Sequence, residues 1–386
     1  MRRKSTTLLL LLLAAHPAAA ALPCPPALVA EVPKVAKLRG LDHRWQPKCE
    51  FLPQTQLVER LTRKLAEELP LPPPLYLEVL QRLGFVPPTP KLYQRLLEFY
   101  SGQVLGYYEP HRDTMVVVDR PLPSQEGNGG VWVHELAHAA QERRYGLPTK
   151  LLAMRHNSDQ QRTLSAVLEG EAMLVMLTLA STTPVSAEHL EKTAADMSEG
   201  AASLARSAQI PEFFVEDLVF PYSQGLATVL RAWQEEGWKG VDRLLAQPPA
   251  CTAQLLYRAP CRHLGDGVLP PTPKGWEVLL KDTLGAWAMR FWLARGGDSA
   301  AAEHLAQAWD GDRLLLLRHQ AAPQQWALCW KLRLRSTAHA QQAIQLLRQR
   351  LPTLLAGFSP GALPLLAYTV EGPTVTVWAN WPTPPP

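Results

Sequence analysis

The chain has 386 residues, of which 47% are hydrophobic and 19% are charged, a composition typical of a globular protein with a sizeable core. This length exceeds one average domain, so one large domain or two moderate domains are expected. The formal net charge is +4 and no basic stripe runs along the sequence, which gives no electrostatic reason to expect binding to nucleic acid.

The N-terminus has the pattern of a secretory signal. Arg2, Arg3 and Lys4 precede an apolar run over 8–15, and small residues follow that run. The run is short for a membrane span, and no later stretch reaches about 18 uncharged apolar residues. We therefore predict a signal peptide over 1–21 and a secreted or periplasmic mature chain of net charge about +1, without a transmembrane segment. A retained N-terminal anchor is the alternative.

Export makes disulfides possible in the mature chain. Cys251 and Cys261 enclose a short loop that contains proline, and they form the first predicted pair. Cys24 and Cys49 form the second predicted pair. Cys329 then remains, and we expect it to be buried because its neighbours are apolar and strand-like.

The first part of the chain predicts mostly helices. Residues 22–50 show no clear period and are expected to be an extended lead-in. Three helical stretches follow between Leu57 and Phe99, separated by proline clusters. The segments VLGYY and TMVVV then flank a turn and predict a strand pair, with TMVVVD as the edge strand of a small sheet.

Longer helices come next in the predicted order. One runs from the segment VWVHELAHAA through Arg144, a second covers about 159–180, and others cover 185–206, part of 211–236 and GVDRLLAQ. A linker at 270–276 precedes a pattern of one helix, two strands, one helix and two strands: 277–308, 313–319, 326–336, 338–355, 364–371 and 374–380. The fold class is therefore α+β, with one domain over 22–270 and a second over 276–386 that contains an antiparallel sheet.

Two histidines and a glutamate interrupt the apolar segment VWVHELAHAA. On a helix, His134 and His138 would lie one turn apart on one face, close enough to bind one metal ion. Glu135 would lie one step around the helix, where it can reach a metal-bound water. Because unsatisfied polar groups in such a segment are costly, the spacing predicts a zinc site with Glu135 as the general base. Histidines satisfied within an ordinary core are the alternative.

A catalytic zinc needs a third protein ligand and an open position for water. A third histidine six residues after His138 is missing, because Arg144 occupies that position. The apolar segment SAVLEGEAMLVML supplies Glu169 and Glu171 instead. Glu169 is the preferred ligand, and Glu171, about 200° around the helix, could orient a histidine or face solvent.

A tyrosine, histidine or arginine usually helps to stabilise the oxyanion in such a site. Tyr222, in the segment VFPYSQG, is the first candidate, and an ordinary half-buried tyrosine is the alternative. Tyr107, Tyr108 and His156 are weaker candidates. Arg162 could form an ion pair with a carboxylate of the site, or could be a solvated charge.

The pairing of HELAH with a downstream LEGEA helix resembles the gluzincin metallopeptidases, which bind zinc through two histidines and a glutamate on the next core helix. More closely, the chain resembles exported bacterial gluzincin-like proteins of undefined substrate, through VLGYYEP, TMVVVD, HELAHAAQ, LEGEAMLV, FPYSQG and GWKGVDRLL followed by two prolines. The resemblance covers about residues 95–265 and, more faintly, WDGDRLLLL. The sequence differs from these proteins at two places. Met173 stands where related proteins commonly have aspartate, and the segment CTAQLLYRAP does not match their pattern.

This resemblance implies a mostly helical, zincin-like catalytic domain with a small edge β-sheet, followed by the small α+β domain. It implies one Zn²⁺ held by His134, His138 and Glu169, and a peptide or protein substrate that pairs with the edge strand. We therefore expect a zinc metalloendopeptidase in which Glu135 accepts a proton from the zinc-bound water. A zinc amidohydrolase acting on a non-peptide or cell-wall substrate is one alternative. A non-catalytic scaffold with four zinc ligands, His156 being the fourth, is another.

Overall fold

The computed structural model describes residues 23–42, 44–119, 128–181, 186–295, 297–359, 361 and 363–382. The predicted signal peptide lies outside these residues. The fold is α+β, as predicted. The helices that the structure describes are α1 (Pro26–Arg39), α2 (Gln54–Glu68), α3 (Pro73–Arg82), α4 (Leu92–Gln103), α5 (Asn128–Tyr145), α6 (Leu147–Leu152), α7 (Ser158–Ala180), α8 (Ala187–Ser207), α9 (Glu212–Phe220), α10 (Leu226–Glu236), α11 (Trp238–Ala246), α12 (Thr252–Tyr257), α13 (Gly285–Ala294), α14 (Ser299–Gln307) and α15 (Thr337–Leu354).

The strands form two sheets. Their bounds are β1 (Lys48–Pro53), β2 (Gly106–Glu109), β3 (Thr114–Asp119), β4 (Trp276–Asp282), β5 (Trp309–His319), β6 (Trp326–Leu334), β7 (Leu366–Glu371) and β8 (Thr374–Ala379). The first sheet has the order β1-β3-β2, and the second has the order β4-β5-β6-β8-β7.

In the first sheet, β3 pairs in parallel with β1 and antiparallel with β2. The predicted strand pair of VLGYY and TMVVV is thus confirmed. The prediction that TMVVVD is the edge strand is wrong, because β3 is central and β2 is an edge. A nearly continuous apolar run is what a strand buried on both faces requires, and only the last residue of β3, Asp119, is exposed.

The prediction of an extended lead-in over 22–50 is also wrong, because α1 and the start of β1 lie there. A buried stripe does repeat at helical spacing along α1: Leu28, Val32, Val35 and Ala36. Prolines at the start and inside the helix obscure this period in the sequence. The Cys24–Cys49 disulfide joins the residues before α1 to β1, as predicted.

The second sheet is antiparallel throughout, which confirms the prediction for the C-terminal part. The prediction of one helix over 277–308 is wrong at its start, where β4 pairs with β5, and the rest divides into α13 and α14. A short apolar run such as the one in β4 does not distinguish a strand from a helix by its period, and pairing with β5 decides the outcome. The predicted Cys251–Cys261 disulfide is present, and Cys329 is free and buried in β6.

The largest hydrophobic core contains residues from both predicted domains, including Val167 and Leu174 of α7, Trp287 and Trp292 of α13, and Trp330 of β6. The helix α7 is long and apolar enough to cross a membrane by composition alone, but most of it is buried in this core. The division into domains at 270–276 remains a prediction.

Candidate metal centre

Two core helices bring the predicted ligands together. His134 and His138 project from α5 and Glu169 projects from α7. The His134 Nε2 atom lies 3.0 Å from Glu169 Oε2 and 3.2 Å from His138 Nε2, and His138 Nε2 lies 3.5 Å from Glu169 Oε1. These three residues form the one group of potential metal ligands found among the described residues.

The spacing of these atoms suits a tetrahedral zinc ion. Bonds of about 2.0–2.1 Å in tetrahedral geometry place neighbouring ligand atoms roughly 3.3–3.4 Å apart. The three distances between the side chains fall on either side of this value. Two imidazoles and one carboxylate are also the donor set of many catalytic zinc sites, so the residues present fit Zn²⁺.

The charge balance of the group also favours a cation. Burial raises the pKa of Glu169, but the imidazoles of His138 and His134 lower it by more, so the net pKa lies well below the usual range. Burial lowers the pKa of His138, while the carboxylate of Glu169 raises it, with a net pKa of about 10. The carboxylate of Glu169 thus favours a positive charge beside it, as a metal ion would supply.

Glu135 is oriented by the edge strand. The backbone N–H of Tyr108 in β2 donates a hydrogen bond of 2.8 Å to Glu135 Oε2. The strand can approach α5 because Gly106 has no side chain, and a Cβ atom there would contact the Val116 carbonyl and the ring of Trp132. Gly106 thus allows β2 to lie against the helix and to hold the carboxylate beside the two histidines.

A cavity of about 580 Å³ opens at this group, lined among others by His134, Glu135, His138, Glu169, Tyr108 and Tyr222. The side chains of His134 and His138 are 14% and 15% exposed, and both line the cavity. The polar groups of VWVHELAHAA therefore face an accessible space rather than a closed core.

Tyr222 reaches the cavity from a π-helical turn, Pro221–Gly225, between α9 and α10. Proline has no backbone N–H, which favours a departure from the α-helical bonding pattern at this point. The turn lies directly on α7, because Gly225 packs against the Ala166 carbonyl and Gly170 packs against the backbone of Gly225. Small residues at the contact therefore determine how near Tyr222 comes to Glu169.

Tyr222 and Glu169 line the same cavity. The negative charge of Glu169 and burial raise the pKa of Tyr222 well above its ordinary value. The hydroxyl thus stays protonated and remains a hydrogen-bond donor in the cavity.

Glu171 does not join the ligand group. Its carboxylate is completely buried, and its Oε2 accepts a 2.6 Å hydrogen bond from Nε2 of Gln141. The Gln141 side chain also contacts Nδ1 of His138, at 2.9 Å. Sequence reasoning missed Gln141, although its place three residues after His138 in an apolar segment was a usable signal.

The weaker candidates lie in different surroundings. Arg162 forms an ion pair of 2.7 Å with Asp217 and is 11% exposed, so it neither pairs with a ligand carboxylate nor is freely solvated. Tyr107 and Tyr108 line the cavity. His156 is exposed and is not part of the ligand group.

No protein-family model, no curated protein and no solved structure matches this chain.

Proposed function

We propose that the protein is a zinc-dependent metalloendopeptidase of the gluzincin type with a zincin-like catalytic region. The main support for this proposal is that one cavity is lined by His134, His138, Glu169 and Glu135. Zn²⁺ bound there would supply Lewis-acid chemistry, because it lowers the pKa of a coordinated water and polarises a carbonyl oxygen.

Each neighbouring side chain has a role that follows from its contacts. Glu135 accepts a proton from the attacking water and later delivers it to the leaving amine. The N–H of Tyr108 holds one carboxylate oxygen of Glu135, which leaves the other for the proton. Tyr222, which stays protonated, donates a hydrogen bond to the oxyanion that develops on the carbonyl.

An extended peptide would lie along β2 rather than along β3. Leu105 accepts a hydrogen bond from the backbone of Val118, so alternation along the antiparallel pair turns Tyr108 away from β3. The carbonyl of Tyr108 then lies on the side of the strand that faces Glu135, where a substrate backbone could add as a strand. This arrangement favours a peptide over a non-peptide amide.

The arrangement also bears on the scaffold alternative. A structural zinc site has four protein ligands, whereas a catalytic site keeps one position open. Among the residues with described positions, three potential ligands converge and the cavity opens beside them. This supports catalysis over a closed structural site.

The first experiment combines metal analysis with a hydrolysis assay of the full chain. The purified protein should contain about one zinc ion per chain and should cleave unfolded casein. Replacing His138 with alanine should remove the metal and the activity together, because two remaining ligands hold zinc weakly. Peptidoglycan fragments assayed in parallel test the cell-wall alternative, which predicts cleavage of the fragments and not of casein.

Glu135→Gln separates metal binding from chemistry. The amide keeps the shape of the side chain but cannot accept the proton, so zinc content should be retained while hydrolysis falls by about 10²–10⁴-fold. Full activity in this variant would refute the role of Glu135. A zinc-loaded parent that cleaves neither substrate would favour the scaffold.

A further inference from the structure

His138 is held from its far side by a buried glutamine. Gln141 lies one turn further along α5 and is 1% exposed, and its Oε1 contacts His138 Nδ1 at 2.9 Å. The other ring nitrogen of His138, Nε2, faces His134 and Glu169. The hydrogen bond on Nδ1 therefore determines how the ring presents Nε2 to a metal ion.

The orientation of the Gln141 amide is determined by its other contacts. Its Nε2 lies 2.8 Å from the carbonyl oxygen of Leu168 and 2.6 Å from Oε2 of Glu171, and both are acceptors. The amide nitrogen must therefore point towards α7, and the amide oxygen towards His138. His138 consequently donates through Nδ1–H, which leaves the lone pair of Nε2 for the metal.

Glu171 is in turn held by an arginine from the N-terminal helix. Nε of Arg39, at the end of α1, lies 2.5 Å from Oε1 of Glu171, and the two side chains are 2% and 0% exposed. Arg39 also contacts Asp242 at 2.8 Å and stacks on Trp238. A buried carboxylate without such a partner would be strongly destabilising, so Arg39 keeps Glu171 in place below Gln141.

We propose that Gln141, Glu171 and Arg39 form a positioning relay that sets the metal affinity of the site through His138. The inference rests on the metal site of the proposed function and adds three residues that touch neither the metal nor the substrate. It also gives α1 a role in the site. Arg144 reinforces this connection, because it donates to the carbonyl oxygen of Arg39 and pairs with Asp242.

The deciding measurement is the zinc affinity of the full chain, obtained by competition with a chelator. Gln141→Met keeps the size of the side chain and changes no charge, and it removes the hydrogen bond to Nδ1. Loss of such an outer partner typically weakens metal binding by about 10–100-fold, and we expect a loss in this range. The NMR signal of the His138 Nδ1 proton in the zinc-loaded protein should also move towards the position of a solvent-exposed imidazole.

Arg39 provides the test at the far end of the relay. Arg39→Met should weaken zinc binding in the same direction, and Arg39→Lys should restore part of it because the positive charge remains beside Glu171. Arg333→Met is the matched control, because it breaks an ion pair of 3.0 Å with Asp310 in the second sheet. The control should leave zinc affinity unchanged, whatever it does to stability.

Parent-like zinc affinity and an unmoved Nδ1 proton signal in Gln141→Met would overturn the relay. That result decides the matter even if Arg39→Met does not fold. A parent that binds zinc but hydrolyses nothing would contradict the proposed function and leave the relay standing. Unchanged zinc binding in His138→Ala would overturn both, because the metal site itself would be wrong.

Discussion

Tyr222 is the residue on which the proposed chemistry depends most directly after Glu135. Its side chain lines the cavity together with Glu169, and in the proposed mechanism its hydroxyl donates to the oxyanion. Removing one oxyanion donor typically costs about 10²–10³-fold in kcat. We expect Tyr222→Phe to lose kcat in this range while KM and zinc content stay near those of the parent.

Tyr93→Phe is the matched control for this prediction. Tyr93 lines the same cavity, and its buried hydroxyl has no hydrogen-bond partner. Loss of that hydroxyl should therefore leave kcat close to that of the parent. If both variants were equally active, Tyr222 would be an ordinary cavity tyrosine, which was the alternative at the level of sequence.

At the scale of single residues, the position of a glutamate on the helix predicted its role better than its chemical type did. Glu169 and Glu171 have the same chemistry, and only their directions on α7 separate a potential metal ligand from a buried partner of Arg39. That ion pair joins residues 132 positions apart, so no local pattern could reveal it. The contact of Gln141 with His138 is local and could have been predicted, but its acceptors on α7 could not.

At the scale of elements, the contact between α7 and the π-helical turn provides the next prediction. A Cβ atom at Gly225 would overlap the carbonyl oxygen of Ala166, and backbone atoms cannot move aside as a flexible side chain can. Gly225→Ala should therefore push the turn away from α7, lowering kcat through Tyr222 and destabilising the fold by about 1–3 kcal/mol. Urea unfolding and steady-state kinetics measure the two effects.

Gly200→Ala is the control for this substitution. Gly200 lies inside α8, and nothing lies within 4 Å of the position where its Cβ atom would be. Alanine is favoured over glycine within a helix, so stability should rise by about 0.5–1 kcal/mol with kinetics unchanged. Equal behaviour of the two variants would mean that the close packing at Gly225 does not position Tyr222.

Some helices and strands could be predicted from the sequence and others could not. The helices α5 and α7 have long apolar stretches, and their existence followed from the sequence. The strand β1 and the central place of β3 in the sheet did not, because the parallel pairing between residues 48–53 and 114–119 depends on tertiary contacts. For the proposed function, this difference moves the substrate-facing edge from β3 to β2.

At the scale of the whole molecule, buried carboxylates lie where α7 meets the second sheet. Asp159, at the start of α7, accepts hydrogen bonds from both the backbone N–H and the hydroxyl of Thr252, and Asp312 accepts from the indoles of Trp309 and Trp330. Burial and the charge of Asp312 raise the pKa of Asp159, the hydrogen bonds from Thr252 lower it, and the net pKa is about 7. Burial likewise raises the pKa of Asp312.

The raised pKa of Asp159 makes the stability of the molecule depend on pH. The folded state binds this proton more tightly than the unfolded state, so the contribution of Asp159 to stability is complete below about pH 4 and is lost as the pH rises towards about 7.

Asp159→Asn cannot ionise and can still accept a hydrogen bond from Thr252. The variant should therefore gain stability relative to the parent as the pH rises, by more than about 1 kcal/mol between about pH 5 and about pH 8. Urea unfolding at the two pH values measures this change, and a constant difference between variant and parent would show that Asp159 does not titrate in this range. Because α7 also carries Glu169, zinc affinity measured on the same samples would show whether loosening this junction at high pH reaches the metal site.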